Sequence, residues 1–284
     1  MKFELYKHED YQQVCDFLVE LNRENESHIN WNWARWEWMY VHPDTDKSLL
    51  PTIGLWMEED KVVGAAIFDM YYGEAFCAAL DNKLLPEVLS FAWEKLRDES
   101  GLGIAVNDAD VATQEKMKIA GFRLGEQTET LLCKNLEELN YSTPKGFTIH
   151  EIRMPEDELA YKTVIWKGFD HEDDPDELQR MIENMTETPP HLKPELCLAL
   201  KDEEGEFAAH CGCWYDRRTD YAYVEPLCTI PKYRGNGLVK AVLFECLKRC
   251  RDLGAKKAFV ISDQEFYKKL GFENHSSYRF WWKK

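Results

Sequence analysis

The chain has 284 residues, 44% hydrophobic and 31% charged, with a formal charge of −17. That length suits two domains of ordinary size, each with its own core, and no apolar run approaches the roughly 20 residues that cross a bilayer. The acidic balance disfavours nucleic acid and acidic membranes and favours a basic small molecule or cationic peptide as partner, although solubility alone accounts for the same charge. The amino terminus, Met1 to Lys7, has no apolar stretch or small-residue cleavage site and reads as a strand. Nine cysteines are scattered without a CxxC pair, and Cys211 and Cys213 read as neighbours on one strand face. Free thiols in the cytosol are therefore expected, with no metal site. The sequons at Asn140, Asn184 and Asn274 would matter only in a secreted protein.

Taken in chain order, Phe3 to Tyr6 predicts a strand and Asp10 to Asn22 a helix. Trp31 to Tyr40 is aromatic and helical in character, either the wall of a pocket or a seam between domains. Strands follow over Thr52 to Glu58 and Val62 to Met70, joined by the turn Glu59-Asp60-Lys61. Gly101 and Gly103 form a lone GxG that reads as a plain turn. Ile119-Ala120-Gly121-Phe122 then precedes a polar strand from Arg123 to Lys134.

A Pro and a Gly among small polar residues mark Asn140 to Gly146 as a linker. Beyond it the pattern returns. Phe147 to His150 is a strand and Glu156 to Gly168 a helix. Glu195 to Lys201 and Phe207 to Tyr215 are strands joined by Asp202-Glu203-Glu204-Gly205, and Lys269-Leu270-Gly271-Phe272 precedes a strand from Glu273 to Lys284. The chain thus divides into two copies, 1–140 and 147–284, with 141–146 between them. Each copy reads as strand, one or two helices, a three-stranded meander, a helix, a strand, a short helix and closing strands. That is an α/β class: two tandem domains, each a mixed, mostly antiparallel sheet flanked by helices.

In the second copy the acidic run Asp170-His171-Glu172-Asp173-Asp174 is either a cation-attracting rim or a solvated loop. Calcium does not suit it, since Pro175 takes the glycine position of an EF-hand loop and Met181 the bidentate glutamate position. After a strand from Tyr221 to Ile230 the chain reads Pro231-Lys232-Tyr233-Arg234-Gly235-Asn236-Gly237-Leu238. A helix follows with apolar residues at Val239, Val242, Leu243, Cys246, Leu247 and Cys250. Two glycines at a strand-to-helix turn let the backbone approach a ligand, and the free N–H groups of a helix start suit a pyrophosphate. An ordinary tight turn fits the same residues.

The run from Glu225 to Leu238 resembles the central strand and R-x-x-G-x-(G/A) coenzyme loop of the GNAT superfamily of acyl-CoA-dependent N-acyltransferases. Phe266-Tyr267-Lys268-Lys269-Leu270-Gly271-Phe272 is similar to that family's closing Y-x-x-x-G-F. The resemblance covers the second half, with the strand Lys257 to Ile261 between the motifs, and Val239 departs from the usual Gly or Ala. It implies acetyl-CoA as co-substrate and a primary amine of a small molecule or peptide as acceptor. Carried over by residue, it implies that Leu227, Cys228 and Thr229 line the pantetheine arm, where sheet burial also accounts for them. Arg234, Gly235, Asn236, Gly237, Leu238, Val239 and Lys240 would hold the pyrophosphate.

The chemistry then needs a proton removed from nitrogen and one given to the leaving thiolate. Tyr267 is the candidate acid, its alternative being a ring packed on the sheet. Glu225 is the candidate base, its alternatives being a solvated carboxylate or a contact to a cationic acceptor. Cys228 has no histidine nearby in sequence to activate it, so direct transfer is expected. The first copy lacks both motifs: Met117 stands where Tyr267 stands, and Asp81-Asn82-Lys83-Leu84-Leu85-Pro86 replaces the glycine turn. A non-catalytic coenzyme-binding sensor or scaffold is the rival reading, and a longer acyl donor a third.

Overall fold

The computed structural model describes residues 1–23, 25–184 and 189–284. The first half runs β1 (Lys2–Leu5), α1 (Tyr11–Arg23), α2 (Trp33–Val41), β2 (Gly54–Glu58), β3 (Lys61–Asp69), β4 (Tyr71–Ala79), α3 (Leu85–Lys95), β5 (Leu102–Asn107), α4 (Val111–Ile119) and β6 (Arg123–Asn135). The second half repeats that order with β7 (Thr148–Glu151), α5 (Glu158–Gly168), α6 (Pro175–Asn184), β8 (Cys197–Lys201), β9 (Phe207–Tyr215), β10 (Tyr221–Thr229), α7 (Leu238–Leu253), β11 (Lys257–Ile261), α8 (Glu265–Lys269) and β12 (Glu273–Lys283).

Local chemistry explains where several elements begin. Asn32 caps α2, its side chain accepting the Ala34 N–H at 2.9 Å, which starts the helix two residues inside the aromatic run and leaves Trp31 at the end of a 3₁₀ turn. The strand expected from Glu195 starts at Cys197, because Pro194 has no N–H for a ladder and opens a 3₁₀ turn instead. Likewise the strand expected from Thr52 starts at Gly54, after a 3₁₀ turn that contains Pro51.

The two sheets predicted from the repeat are fused into one of 12 strands, ordered β1-β2-β3-β4-β5-β12-β6-β11-β10-β9-β8-β7. Each half has lent its closing strand to the other. β12 pairs with β5 of the first half, and β6 pairs with β11 of the second. The two exchanged strands pair with each other at the centre, antiparallel, with Glu129 opposite Tyr278 and Thr128 opposite Arg279. Shifted by the 150 residues that separate Gly121 from Gly271, Thr128 corresponds to Tyr278 and Glu129 to Arg279. The repeat's internal two-fold axis therefore passes through this pair.

Helices cover both faces. α7 lies on β8, β9 and β10; of the stripe that the sequence marks out, Val242, Leu243, Cys246, Leu247 and Cys250 are buried, and Val239 is half-buried. On the opposite face α5 shares a core with α1 and α2 of the first half, and Trp33 of α2 meets Trp214 of β9 edge-on at 5.7 Å. The tryptophan-rich segment is thus a seam between the halves.

Because β6 carries fully buried Leu131 and Leu132 into the second half, the second half alone would lose a central strand and expose the facing edges of β11 and β12. Residues 147–284 expressed alone are expected to be unfolded or aggregated by circular dichroism and size-exclusion chromatography. Co-expression with residues 1–146 is expected to recover a soluble one-to-one complex, and a stable, monomeric second half would contradict the exchange.

Candidate active site

The site begins where two neighbouring strands separate. β10 and β11 run parallel and pair only from Tyr221 to Tyr223 against Lys257 to Phe259. Beyond that, β10 shifts register against β9 between Val224 and Leu227, and its β11-facing edge has no partner strand. Gly212 on β9 faces this irregularity, and a Cβ there would lie 2.6 Å from the Glu225 carbonyl oxygen. The same carbonyl accepts the Trp214 indole N–H at 2.7 Å. A cleft of about 880 Å³ opens in the gap.

Leu227, Cys228 and Thr229 line this cleft along β10. Cys228 is buried and its thiol donates to the Val164 carbonyl at 3.4 Å, while burial pushes the thiol up to about 12. The sheet register places His210 opposite Cys228, a neighbour the sequence did not show. That ring is fully buried, its Nδ1 lies 2.9 Å from the Leu198 carbonyl, and burial lowers it to about 4. A neutral thiol bonded to a backbone carbonyl and a neutral imidazole make a poor nucleophile pair.

The glycine turn stands at the cleft's mouth. Gly235 and Gly237 have φ of 81° and 76°, and nothing lies within 4 Å of a Cβ built on either. The left-handed backbone suits glycine, and the open space leaves the turn accessible. Gly237 caps α7 without a side-chain hydrogen bond. The backbone N–H groups of Gly235, Asn236, Gly237, Leu238, Val239 and Lys240 have no acceptor among the described residues. Free amides at the positive end of a 16-residue helix form an anion cradle.

Arg234 is occupied otherwise. Its Nε donates to the Thr229 carbonyl at 3.1 Å, and its Nη2 to the Gly168 carbonyl at 2.9 Å and Asp170 at 2.8 Å. The guanidinium thus ties the turn to the end of α5. Asp170 is spent on this contact, while Asp174 meets Arg180 at 3.1 Å and Glu177 meets His171 at 2.5 Å. Half of the acidic run is therefore neutralised within the protein.

Tyr267, on α8, is 8% exposed and lines the cleft, with no hydrogen bond to its hydroxyl among the described residues. Burial raises its phenol above the ordinary value, with the neighbouring thiols and Glu225 adding to the shift. Glu225 lies on the same cleft, and its Oε2 is buried without a hydrogen-bond partner. Burial raises the Glu225 carboxyl. Arg35 opposes that rise, Asp69 and Glu129 add to it, and the Tyr223 hydroxyl lowers it. Arg35 is 3.4 Å from Asp69 and reaches the cleft from α2, together with Trp38 and His42. The first half therefore supplies one wall of the second half's cleft, so the Trp31 to Tyr40 run is a pocket wall as well as a seam.

Residues 150–272, less than half of the chain, match the family model of the acetyltransferase (GNAT) family. The second half carries a GNAT domain. No curated protein matches the chain in sequence. Among solved structures, similar folds include a tandem GNAT protein from the clavulanic acid biosynthesis pathway, at 13% identity, covering 99% of this chain and 98% of that one, with a TM-score of 0.59. A GCN5-related N-acetyltransferase from Sphaerobacter thermophilus follows at 14% identity, 99% and 95% coverage and 0.56. A GNAT-family acetyltransferase from Colwellia psychrerythraea shares 15% identity over the whole of both chains, at 0.55. Identities this low establish a shared fold.

In the first half, the counterpart of the GNAT domain's cleft is filled. β4 and β5 touch at only one pair, Glu74 with Gly103, so they too separate. Trp31 stacks on Phe76 at 5.8 Å in that gap. The space left beside them is about 20 Å³, room for one water. Met117 is fully buried where the GNAT domain has Tyr267.

The irregular stretch of β10 packs directly on Gly212, where a side chain would meet the Glu225 carbonyl. Gly212→Ala is expected to destabilise the protein by about 1–3 kcal/mol, the ordinary effect of overpacking, and to lower the denaturant midpoint accordingly. An unchanged midpoint would show that the strand absorbs the methyl group.

Proposed function

We propose that the GNAT domain transfers an acetyl group from acetyl-CoA directly to a primary amine of a small molecule or peptide, in the cytosol. The observation that carries this reading is the row of unpartnered amides from Gly235 to Lys240 at the mouth of a cleft that also holds Tyr267 and Glu225. A pyrophosphate fits those amides, and the unpaired edge of β10 suits an extended pantetheine arm by strand addition. Val239 lines the cleft as part of the helix start, with its N–H still free.

The amine nitrogen attacks the thioester carbonyl as a neutral base. Glu225 takes the proton that nitrogen must lose, directly or through a water, and Tyr267 gives a proton to the departing thiolate. The two roles fit their surroundings. Glu225 has a free, buried oxygen and a carboxyl raised toward neutrality, as a base needs. Tyr267 keeps its proton at neutral pH and has a hydroxyl free to donate it. The acceptor enters between α2 and α6, past Trp38, His42 and Met181. An amine that arrives protonated is drawn by the chain's charge of −17 and gives up its extra proton to solvent before it attacks.

Thiol release over a panel of amines tests the reading. Tyr267→Phe and Glu225→Gln are each expected to lower kcat by roughly 10²–10⁴-fold, the range of general acid–base catalysis, while acetyl-CoA still binds. Binding without turnover by any amine would favour a sensor or scaffold.

A second measurement isolates the electrostatics. Glu225 accepts a proton only when ionised, so the rate rises with pH through its pKa, and Arg35 holds that pKa down. Arg35→Met is expected to move the acid limb of the kcat/KM profile to higher pH. A limb that stays in place would separate Arg35 from the base.

A further inference from the structure

Glu37 is the only acidic residue that is fully buried among the described residues. It sits within α2 amid Tyr11, Trp33 and Trp36, where an unpartnered carboxylate costs several kcal/mol. With two neighbouring side chains it forms a set of three different donor atoms. Glu37 Oε2 accepts the backbone N–H of His191 at 3.1 Å, and Oε1 meets the Nδ1 of the same histidine. The thiol of Cys15, on α1, lies 3.7 Å from Oε1. One sulfur, one carboxylate oxygen and one imidazole nitrogen thus lie within 4.8 Å of one another. The ring of His191 is held in place, stacked on Tyr11 at an interplanar angle of 16° and edge-on to Trp33 at 80°.

A tetrahedral ion about 2.0–2.3 Å from each such donor spaces them roughly 3.3–3.7 Å apart, so the pocket needs only small side-chain shifts. The charge also balances. A thiolate, a carboxylate and a neutral imidazole around a divalent ion sum to zero, which suits a buried site. The other close grouping, Cys211, Cys213 and Cys246, does not share this property. Three thiolates around the same ion leave a net negative charge, sealed between β9 and α7 with every member at 1% exposure or less. The side chain of His191, by contrast, is 36% exposed and gives solvent a route to the ion.

We propose that Cys15 Sγ, Glu37 Oε1 and His191 Nδ1 form a three-ligand site for a divalent, thiophilic ion of the zinc class, with water as the fourth ligand. Mixed sulfur, nitrogen and oxygen donors select such an ion over magnesium or calcium. On binding, Cys15 releases its thiol proton and His191 presents Nδ1 unprotonated, both protons passing to solvent. The ligands come from α1, from α2 and from the segment before β8, so the ion joins the two halves. One ligand sits on the same helix that carries Arg35 and Trp38 to the cleft.

The test uses the full chain, stripped with a chelator and titrated with Co²⁺ and then Zn²⁺. The expected result is one equivalent of tetrahedral Co²⁺ with a thiolate-to-cobalt charge-transfer band, displaced by one equivalent of Zn²⁺. Cys15→Ala should abolish that band and His191→Ala should weaken binding at least tenfold, while Cys246→Ala leaves both unchanged. Glu37→Gln, which keeps the volume, guards against misfolding and should also weaken binding. Zn²⁺ should raise the thermal midpoint of the parent protein and not that of Cys15→Ala. Absence of a stoichiometric tetrahedral ion would overturn the proposal, as would a band lost in Cys246→Ala and kept in Cys15→Ala.

Discussion

The antiparallel pair of β6 with β12 is the contact on which the rest of the molecule depends. Each half reaches across to complete the other's sheet, so neither core closes without both. This fixes the first half against the second and places α2 over the cleft, within reach of Glu225. A half without a glycine turn of its own is thereby built into the walls of the half that has one. In the first copy the corresponding gap is filled by side chains while the order of elements is kept.

The chemistry of the cleft follows from an imbalance of charge in a partly dry place. Asp69, Glu129 and Glu225 share one guanidinium, that of Arg35, and each carboxyl lies above its ordinary range because burial penalises its charged form. In water such groups would repel weakly. At the low effective dielectric of this seam, separations of a few ångström are worth several kcal/mol. Burial raises the Glu225 carboxyl, and one arginine from the neighbouring copy holds that rise back.

Much of this was legible in the residues. The repeat of Gly121-Phe122 at Gly271-Phe272 revealed two copies, and the helix stripe after Gly237 fixed α7. The glycines of the turn predicted free amides where the structure has them. Three features were not legible. Hydrophobic alternation tells which face of β6 is buried but not which half supplies its neighbours, so strand exchange left no trace in the sequence. The aromatic run around Arg35 read as a seam or a pocket wall, but the charge that Arg35 brings to Glu225 did not show. His210 opposite Cys228, and Cys15 beside Glu37 and His191, are brought together by register and packing across long separations, where spacing rules have no purchase.

The closing-strand exchange also changes what kind of event folding is. In two separate chains, an exchange of strands would depend on the concentration of partners. Here the linker from 141 to 146 holds the partners at the millimolar effective concentration typical of short tethers. Completion of the 12-stranded sheet is therefore a first-order process. The protein resembles a dimer that cannot be diluted apart, one half keeping an open cleft and the other supplying a wall of it.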